Sequence, residues 1–316
     1  MNCKVAIVIL NWNTSGVTVE CLESLSKVVY GDFHVFLVDN ASKDTEYEHI
    51  KRYVQGNKQF TLISLAYNYG FAEGNNIGIR IAEKQYAPDY FLLLNNDTVV
   101  DAHFLQNLVD AAQENPKIGI AVPKIFFFEP SDRLYYAGGY INKLSGMGEH
   151  YGWQKKDNNQ YGITKNVSFA NGCCMLITSK LYHEIGGLNR DFFANIEDVE
   201  YSYRCTRSDF GIIYVPTAIV IHKEGYASKR NKGQWFRIYL STRNLILFYK
   251  ERTEWYKLLL FIPYFTIRWI TYMTLKLMIM RDYQSVNAVF RGVRDGWKNR
   301  LSFVELPKET IFRKQK

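Results

Sequence analysis

Two carboxylates stand where apolar runs stop: Asp39 after FHVFLV, and Asp97 after FLLL and the pair Asn95 and Asn96. A third acidic group, Glu197, Asp198 and Glu200 in NIEDVE, opens a helix, and His222 closes the apolar run GIIYVPTAIVI. Carboxylates and imidazoles take protons from hydroxyls and hold divalent cations. In an open α/β sheet, ligands gather beyond the carboxyl ends of the strands, so an acid leaving a buried strand lies where a ligand phosphate or its metal would sit. Asn95, Asn96 and Asp97 read equally as a polar turn that satisfies backbone groups, and residue type alone leaves both readings open. Three acids at a helix start are also what the helix macrodipole favours.

The elements that must position these groups follow from the apolar pattern. Residues 4–10, 33–38, 60–65 and 91–94 read as short buried strands. Helical segments separate them: one capped by Thr14 or Ser15 and running to about Lys27, one from Asn75 or Asn76 after the YNYGFAEG loop, and one from near Asp101. This alternation predicts βαβ units and a mostly parallel central sheet flanked by helices, an α/β fold. Residues 123–170 are glycine-rich and irregular; a strand and a short helix follow in VSFANGCCMLITSKLYHEIGGLN, and two short strands flank Pro216. No turn carries G-x-G-x-x-G or G-x-x-x-x-G-K-[ST], which argues against nicotinamide enzymes and P-loop ATPases.

The net charge of +8 is unevenly spread: from Lys223 onward 20 Lys and Arg face 7 Asp and Glu, leaving 19 against 24 in residues 1–222. Cys3, Cys21, Cys173, Cys174 and Cys205 show no zinc-type spacing and read as reduced thiols. The N-terminal VAIVIL run is too short for a signal-peptide core and reads as a first strand.

Taken in order, NYGFAEGNNIG, LLNND, the NIEDVE acids and HKEGYAS resemble the family 2 inverting glycosyltransferases, and within them the bacterial rhamnosyltransferase-like branch of cell-surface polysaccharide enzymes. The resemblance spans roughly residues 4–245 and implies the GT-A nucleotide-diphospho-sugar transferase fold. It places Asp39 on the nucleotide base beside Asn11, Trp12 and Asn13, and Asn76 in a ribose-side loop. Asp97 matches the last acid of the family's D-x-D motif, with Asn95 and Asn96 in place of the earlier acids, so that the donor diphosphate and its Mn²⁺ or Mg²⁺ would lean on Asp97 and His222. Asp198 matches the general base, with Glu197 orienting the acceptor or tuning it. Lys223, Lys229 or Arg230 would offset diphosphate charge. The implied substrates are a dTDP- or UDP-linked sugar and a glycan or lipid-linked saccharide acceptor. A silent nucleotide-sugar-binding subunit is the alternative prompted by Asn95 and Asn96; a sugar nucleotidyltransferase is disfavoured because no glycine- and basic-rich triphosphate loop follows the first strand.

This reading assigns residues 1–233 to a catalytic domain, with a donor half to about 122, and residues 234–316 to a basic helical region. There QWFRIYLSTRNLILFYK is a helix packed on the catalytic domain, and its Arg243 and Asn244 resemble a recurring pair of the family. Leu258 to Met280 is an apolar stretch long enough to cross a membrane but interrupted by Arg268 and Lys276; around a helix, Lys257, Tyr264, Arg268 and Tyr272 fall on one side, and Ile262, Trp269, Ile270, Met273, Leu277 and Met280 on the other. The pattern predicts an interfacial helix on an anionic membrane, divided at Pro263, rather than a span, which places the protein peripherally on the cytoplasmic face of the cell membrane. The interleaved apolar face argues against nucleic acid.

Overall fold

The computed structural model describes residues 3–223, 233–304, 306–307 and 309–313. Strands β1 (Val5–Asn11), β2 (Phe33–Asp39), β3 (Phe60–Ser64), β4 (Tyr90–Asn95), β5 (Thr98–Val100), β6 (Ile118–Phe127) and β7 (Leu134–Tyr136) precede a separate hairpin of β8 (Gly139–Ile141) and β9 (Gly148–His150). Strands β10 (Lys165–Val167), β11 (Cys174–Thr178) and β12 (Gly211–His222) complete the main sheet, whose spatial order is β10-β12-β6-β11-β4-β1-β2-β3. The first four strands pair in parallel, as their continuous apolar runs predict. Beyond β4 the sheet is mixed: β11 lies antiparallel between β4 and β6, and β12 runs parallel to β6. A register shift between Val215 and Ile219 lets one strand, β12, absorb Pro216, where two short strands were expected.

Register places the prospective chemistry. Asn11 pairs with Asp39, and Leu10 with Asn95, so the carboxyl ends of β1, β2 and β4 lie side by side. Helices α1 (Ser15–Leu25), α2 (Asp44–Val54), α3 (Gly70–Tyr86), α4 (Phe104–Gln113), α5 (Ser179–Ile185) and α6 (Glu197–Arg207) flank the sheet. Helix α3 starts at Gly70 rather than at Asn75 or Asn76. Its first free N–H groups, on Phe71 and Ala72, donate to the Phe193 carbonyl at 2.6 and 3.1 Å, an external cap invisible to local sequence reading. Gly70 itself has φ +77°, and a Cβ there would meet Phe193 at 2.5 Å. Helix α4 starts at Phe104, because the Asp101 carboxylate instead accepts from the His103 N–H in a turn.

Three further helices follow: α7 (Gly233–Arg252), α8 (Trp255–Ile279) and α9 (Tyr283–Lys298). Leu245, Leu247 and Phe248 of α7 join the same core as the sheet, and α9 packs along α7. Helix α8 is not divided at Pro263: it continues through that residue into a π-helical turn at Phe265–Thr271. Nor does it split into one polar and one apolar side. Phe261, Phe265 and Leu277 dock on the protein, whereas Leu259, Leu260, Ile262, Ile267 and Met280 face outward with Arg268 and Lys276. The chain end returns to the sheet, where Phe312 pairs with Leu65 and the Arg313 N–H donates to the Ser64 carbonyl at 2.9 Å.

Candidate active site

Beyond the carboxyl ends of β1 and β4 a cavity of about 600 Å³ is lined by Trp12, Asn95, Asn96, Asp97, Glu197, Asp198 and His222. Asn11, Asn13, Asp39 and Asn76, grouped with these from sequence, do not line it.

On one wall, His222 Nε2 lies 3.1 Å from Asp97 Oδ1, and both side chains are buried. Tyr135 meets the imidazole edge-on at 4.7 Å, while Nδ1 is buried with no partner among the described residues. A buried imidazole against a buried carboxylate, with one ring nitrogen left unbonded, is a donor set that suits a divalent cation when substrate phosphates complete its shell. No third His, Cys, Asp or Glu joins them in a metal-holding group among the described residues. Asn96 adds no ligand charge, and its amide N–H₂ turns away to the Thr14 and Thr18 hydroxyls at 2.8 and 2.7 Å. Lys223 is taken up by Glu20 and lies 4.7 Å over the Phe128 ring. Lys229 and Arg230 fall outside the described residues.

Asp39 sits in a buried knot beside the cavity. Its carboxylate accepts from Asn11 Nδ2 at 2.9 Å and from the Ser42 N–H at 3.2 Å, and Arg313 approaches within 3.7 Å. Burial raises its pKa against the pull of these partners. Asn13, at φ +57°, closes the same knot by accepting from the Lys43 N–H and donating its own N–H to Ser42 Oγ. Asn76 is not in a loop: within α3 its amide donates to the Leu188 carbonyl at 2.7 Å and accepts from the Leu188 N–H at 2.9 Å. It ties α3 to the turn after α5 and is neither a helix cap nor a group facing the cavity.

The first turn of α6 brings Glu197 and Asp198 to the lining of the same cavity. Asp198 accepts from the Gly172 N–H at 3.0 Å and from the Val199 N–H at 2.8 Å. Burial raises its pKa and those two N–H groups lower it. Glu197, buried beside it with Oε2 unpartnered among the described residues, is pushed up to about 8 by burial first and by the charge of Asp198 second. Burial and the closeness of the two carboxyl groups thus both disfavour a second negative charge on the pair.

The sequence reading missed several groups that line the cavity and hold its surroundings in place. Gly172 is one; a Cβ there would lie 3.3 Å from the Asp198 Cβ. Asn171 is another, bonded through Nδ2 to His150 Nε2 at 3.2 Å and accepting from the Cys173 N–H at 2.9 Å. Asn40 is a third, fastening the Asn68–Gly70 loop with three bonds. The only sequence signal was a local one, an Asn-Gly step beside an apolar strand. Cys173 and Cys174, like the other three cysteines, are free thiols, and burial raises both.

The sequence model of glycosyl transferase family 2 matches residues 6–186. The low-salt glycan biosynthesis hexosyltransferase Agl10 of Haloferax volcanii is 26% identical over 251 residues, 77% of this chain and 74% of its own length. The N-acetylglucosaminyl-diphospho-decaprenol L-rhamnosyltransferase of Mycobacterium tuberculosis is 24% identical over 229 residues, 66% of this chain and 73% of its own. In structure, GalNAc-T7, solved with UDP, GalNAc and Mn²⁺, superposes with a TM-score of 0.62 at 16% identity, over 79% of this chain and 48% of that one, so the chain spans about half of its length. That likeness gives the GT-A type of fold. With the family match covering more than half of the sequence, the chain belongs to glycosyl transferase family 2.

Proposed function

We propose that this enzyme transfers a sugar, with inversion, from a nucleoside diphosphate to a hydroxyl of a glycan or lipid-linked saccharide in cell-surface polysaccharide biosynthesis. The observation that carries the reading is Asp198: a carboxylate held by two N–H groups in the lining of the cavity that Asp97 and His222 also line. Inversion needs one base for the acceptor and charge stabilisation for the leaving group, and in this reading Asp198 supplies the first and the Asp97 and His222 pair the second. Asp198 takes the hydroxyl proton as the oxygen attacks the anomeric carbon. Glu197, protonated, donates to an acceptor oxygen and keeps a second negative charge away from the base. Asp97 and His222 would hold the donor's Mn²⁺ or Mg²⁺, and the ion would supply positive charge to the diphosphate leaving group. Asn95 and Trp12 line the donor wall where the base is received, Asp39, Asn11 and Asn13 brace that wall from the buried knot behind it, and Asn76 and Asn96 keep the framing segments in place.

L-Rhamnose from a dTDP or UDP donor is the sugar that the rhamnosyltransferase relative favours. Residues 1–233 carry the chemistry, and the C-terminal region holds the enzyme to the inner face of an anionic membrane. Two observations support the membrane contact: the outward apolar row on α8 and the excess of 20 Lys and Arg over 7 Asp and Glu from Lys223 onward. A panel of dTDP-, UDP- and GDP-sugars incubated with the enzyme and Mn²⁺ tests the proposal through nucleoside diphosphate release. Release from a rhamnose or hexose donor is expected, and silence across the panel with glycan acceptors present would contradict it.

A further inference from the structure

The acids of α6 are delivered by an unusual piece of backbone. Phe193, Asn195 and Ile196 all have positive φ, at 61°, 66° and 71°, and none is glycine. At Phe193 the Ala194 N–H returns to the Phe192 carbonyl at 2.7 Å, closing a γ-turn with ψ −64°, and the β-branched Ile196 sits in the left-handed region immediately before Glu197. Such a path persists only where its surroundings over-determine it, and it sets the direction in which the first turn of α6 points.

What over-determines it comes from α7. Asn244, fully buried, directs its amide nitrogen at three carbonyls of this turn: Phe192 at 2.8 Å, Ala194 at 2.9 Å and Asn195 at 2.8 Å. Two hydrogens serve three acceptors that converge on one point. The neighbouring Arg243 fixes the amide's orientation by donating to Asn244 Oδ1 at 2.6 Å, and it also donates to the Asp191 carbonyl at 2.5 Å and the Arg300 carbonyl at 2.7 Å. An asparagine whose oxygen is claimed by a guanidinium can offer only its N–H₂ to the turn. From the other side, the Phe193 carbonyl caps the start of α3, so the same turn also braces the Gly70 loop at the cavity.

We infer that Arg243 and Asn244 are positioning residues for the transfer reaction: they hold the strained 192–196 turn so that Glu197 and Asp198 face the acceptor, although neither touches substrate. The inference rests on Asp198 being the base, and its test separates the two. Asn244→Ala and Asp198→Asn are assayed together for release of UDP or dTDP from the donor that the wild-type enzyme consumes. Affinity for UDP and dTDP with Mn²⁺ is measured by calorimetry, and folding by thermal melts.

Displacing a catalytic group by about 1 Å costs on the order of a hundredfold in rate, so Asn244→Ala is expected to lose about that in kcat with nucleotide affinity and KM for the donor little changed. Adding Asn195→Gly, which accepts a φ of +66° without strain, is expected to restore part of the lost kcat, a rescue that a mere packing role for Asn244 does not predict. Asn244→Ser retains one donor and covers the case in which alanine prevents folding; its kcat is expected to fall between those of the wild type and a fully displaced base. Wild-type kcat in a folded Asn244 variant, with Asp198→Asn inactive, would overturn the positioning role alone. Full activity in Asp198→Asn would remove the base assignment on which it rests.

Discussion

At the scale of single residues, the account turns on which polar side chains face the cavity and which are spent on the protein. Asn96 and Asp97 are adjacent, yet Asn96 is tied to Thr14 and Thr18 of the α1 region while Asp97 meets His222. Replacing Asn96 by Ala is therefore expected to cost about 1–3 kcal/mol of stability through lost buried hydrogen bonds. Asp97→Asn is expected to leave stability nearly intact and abolish the response of activity to added Mn²⁺ after chelation. Denaturant titration and metal-dependent assays of the two variants distinguish them, and the reverse pattern would exchange their roles. For Glu197 the sign follows from burial. Its folded pKa is raised from the ordinary carboxylate value to about 8, so the folded protein binds more protons than the unfolded chain between about 4.5 and 8. Stability should fall as pH rises through that window, by an amount on the order of a few kcal/mol. Glu197→Gln removes the ionisation; its melting temperature is expected to gain on the wild type as pH rises from 5 to 8, and equal slopes would show Glu197 to be ionised in the fold.

At the scale of elements, the strands were legible and the joints were not. The four N-terminal apolar runs became strands because each is short, bounded by turn residues and alternates with a helical segment, and the residues that stop β1, β2 and β4 marked where the ligand side begins. The start of α3 was misplaced because Gly70 and Gly74 read as breakers, whereas the Phe193 carbonyl, far along the chain, caps that helix. The left-handed run at 193–196 left no sequence trace, since it uses Phe, Asn and Ile where glycine would have announced it. Asp198 could be matched by motif; the Gly172 N–H that orients it and the Asn244 amide behind its turn could not, because both are contacts between distant segments. The joint between α3 and the acid-bearing turn makes a testable point of its own. Gly70→Ala would force a Cβ against Phe193 at an unfavourable φ, and it is expected to lower stability by about 1–3 kcal/mol. Wild-type denaturation by urea would show that the contact relaxes freely.

At the scale of the whole molecule, the C-terminal helices are both scaffold and surface. Helix α7 enters the core shared with the sheet and touches the turn before Glu197 and Asp198, while α8 leaves Trp255, Leu260, Ile267 and Ile279 at 70% exposure or more. Charge and periodicity marked this region as distinct, but they could not reveal that part of its apolar face is used internally by Phe261, Phe265 and Leu277. Full-length enzyme is expected to co-sediment with vesicles containing anionic phosphatidylglycerol and to be released as salt rises from 0.05 to 0.5 M, on the order of a Debye-screening effect. Binding to neutral and anionic vesicles alike would place the contact on the apolar row alone. The central claim is that Asp198 is the base of an inverting sugar transfer, and one comparison tests it most directly: wild-type and Asp198→Asn enzymes supplied with the consumed donor and an acceptor, read by product mass, with nucleotide binding measured in parallel. The account predicts retained nucleotide affinity and a loss of product of about a hundredfold or more in the variant; undiminished product would contradict it.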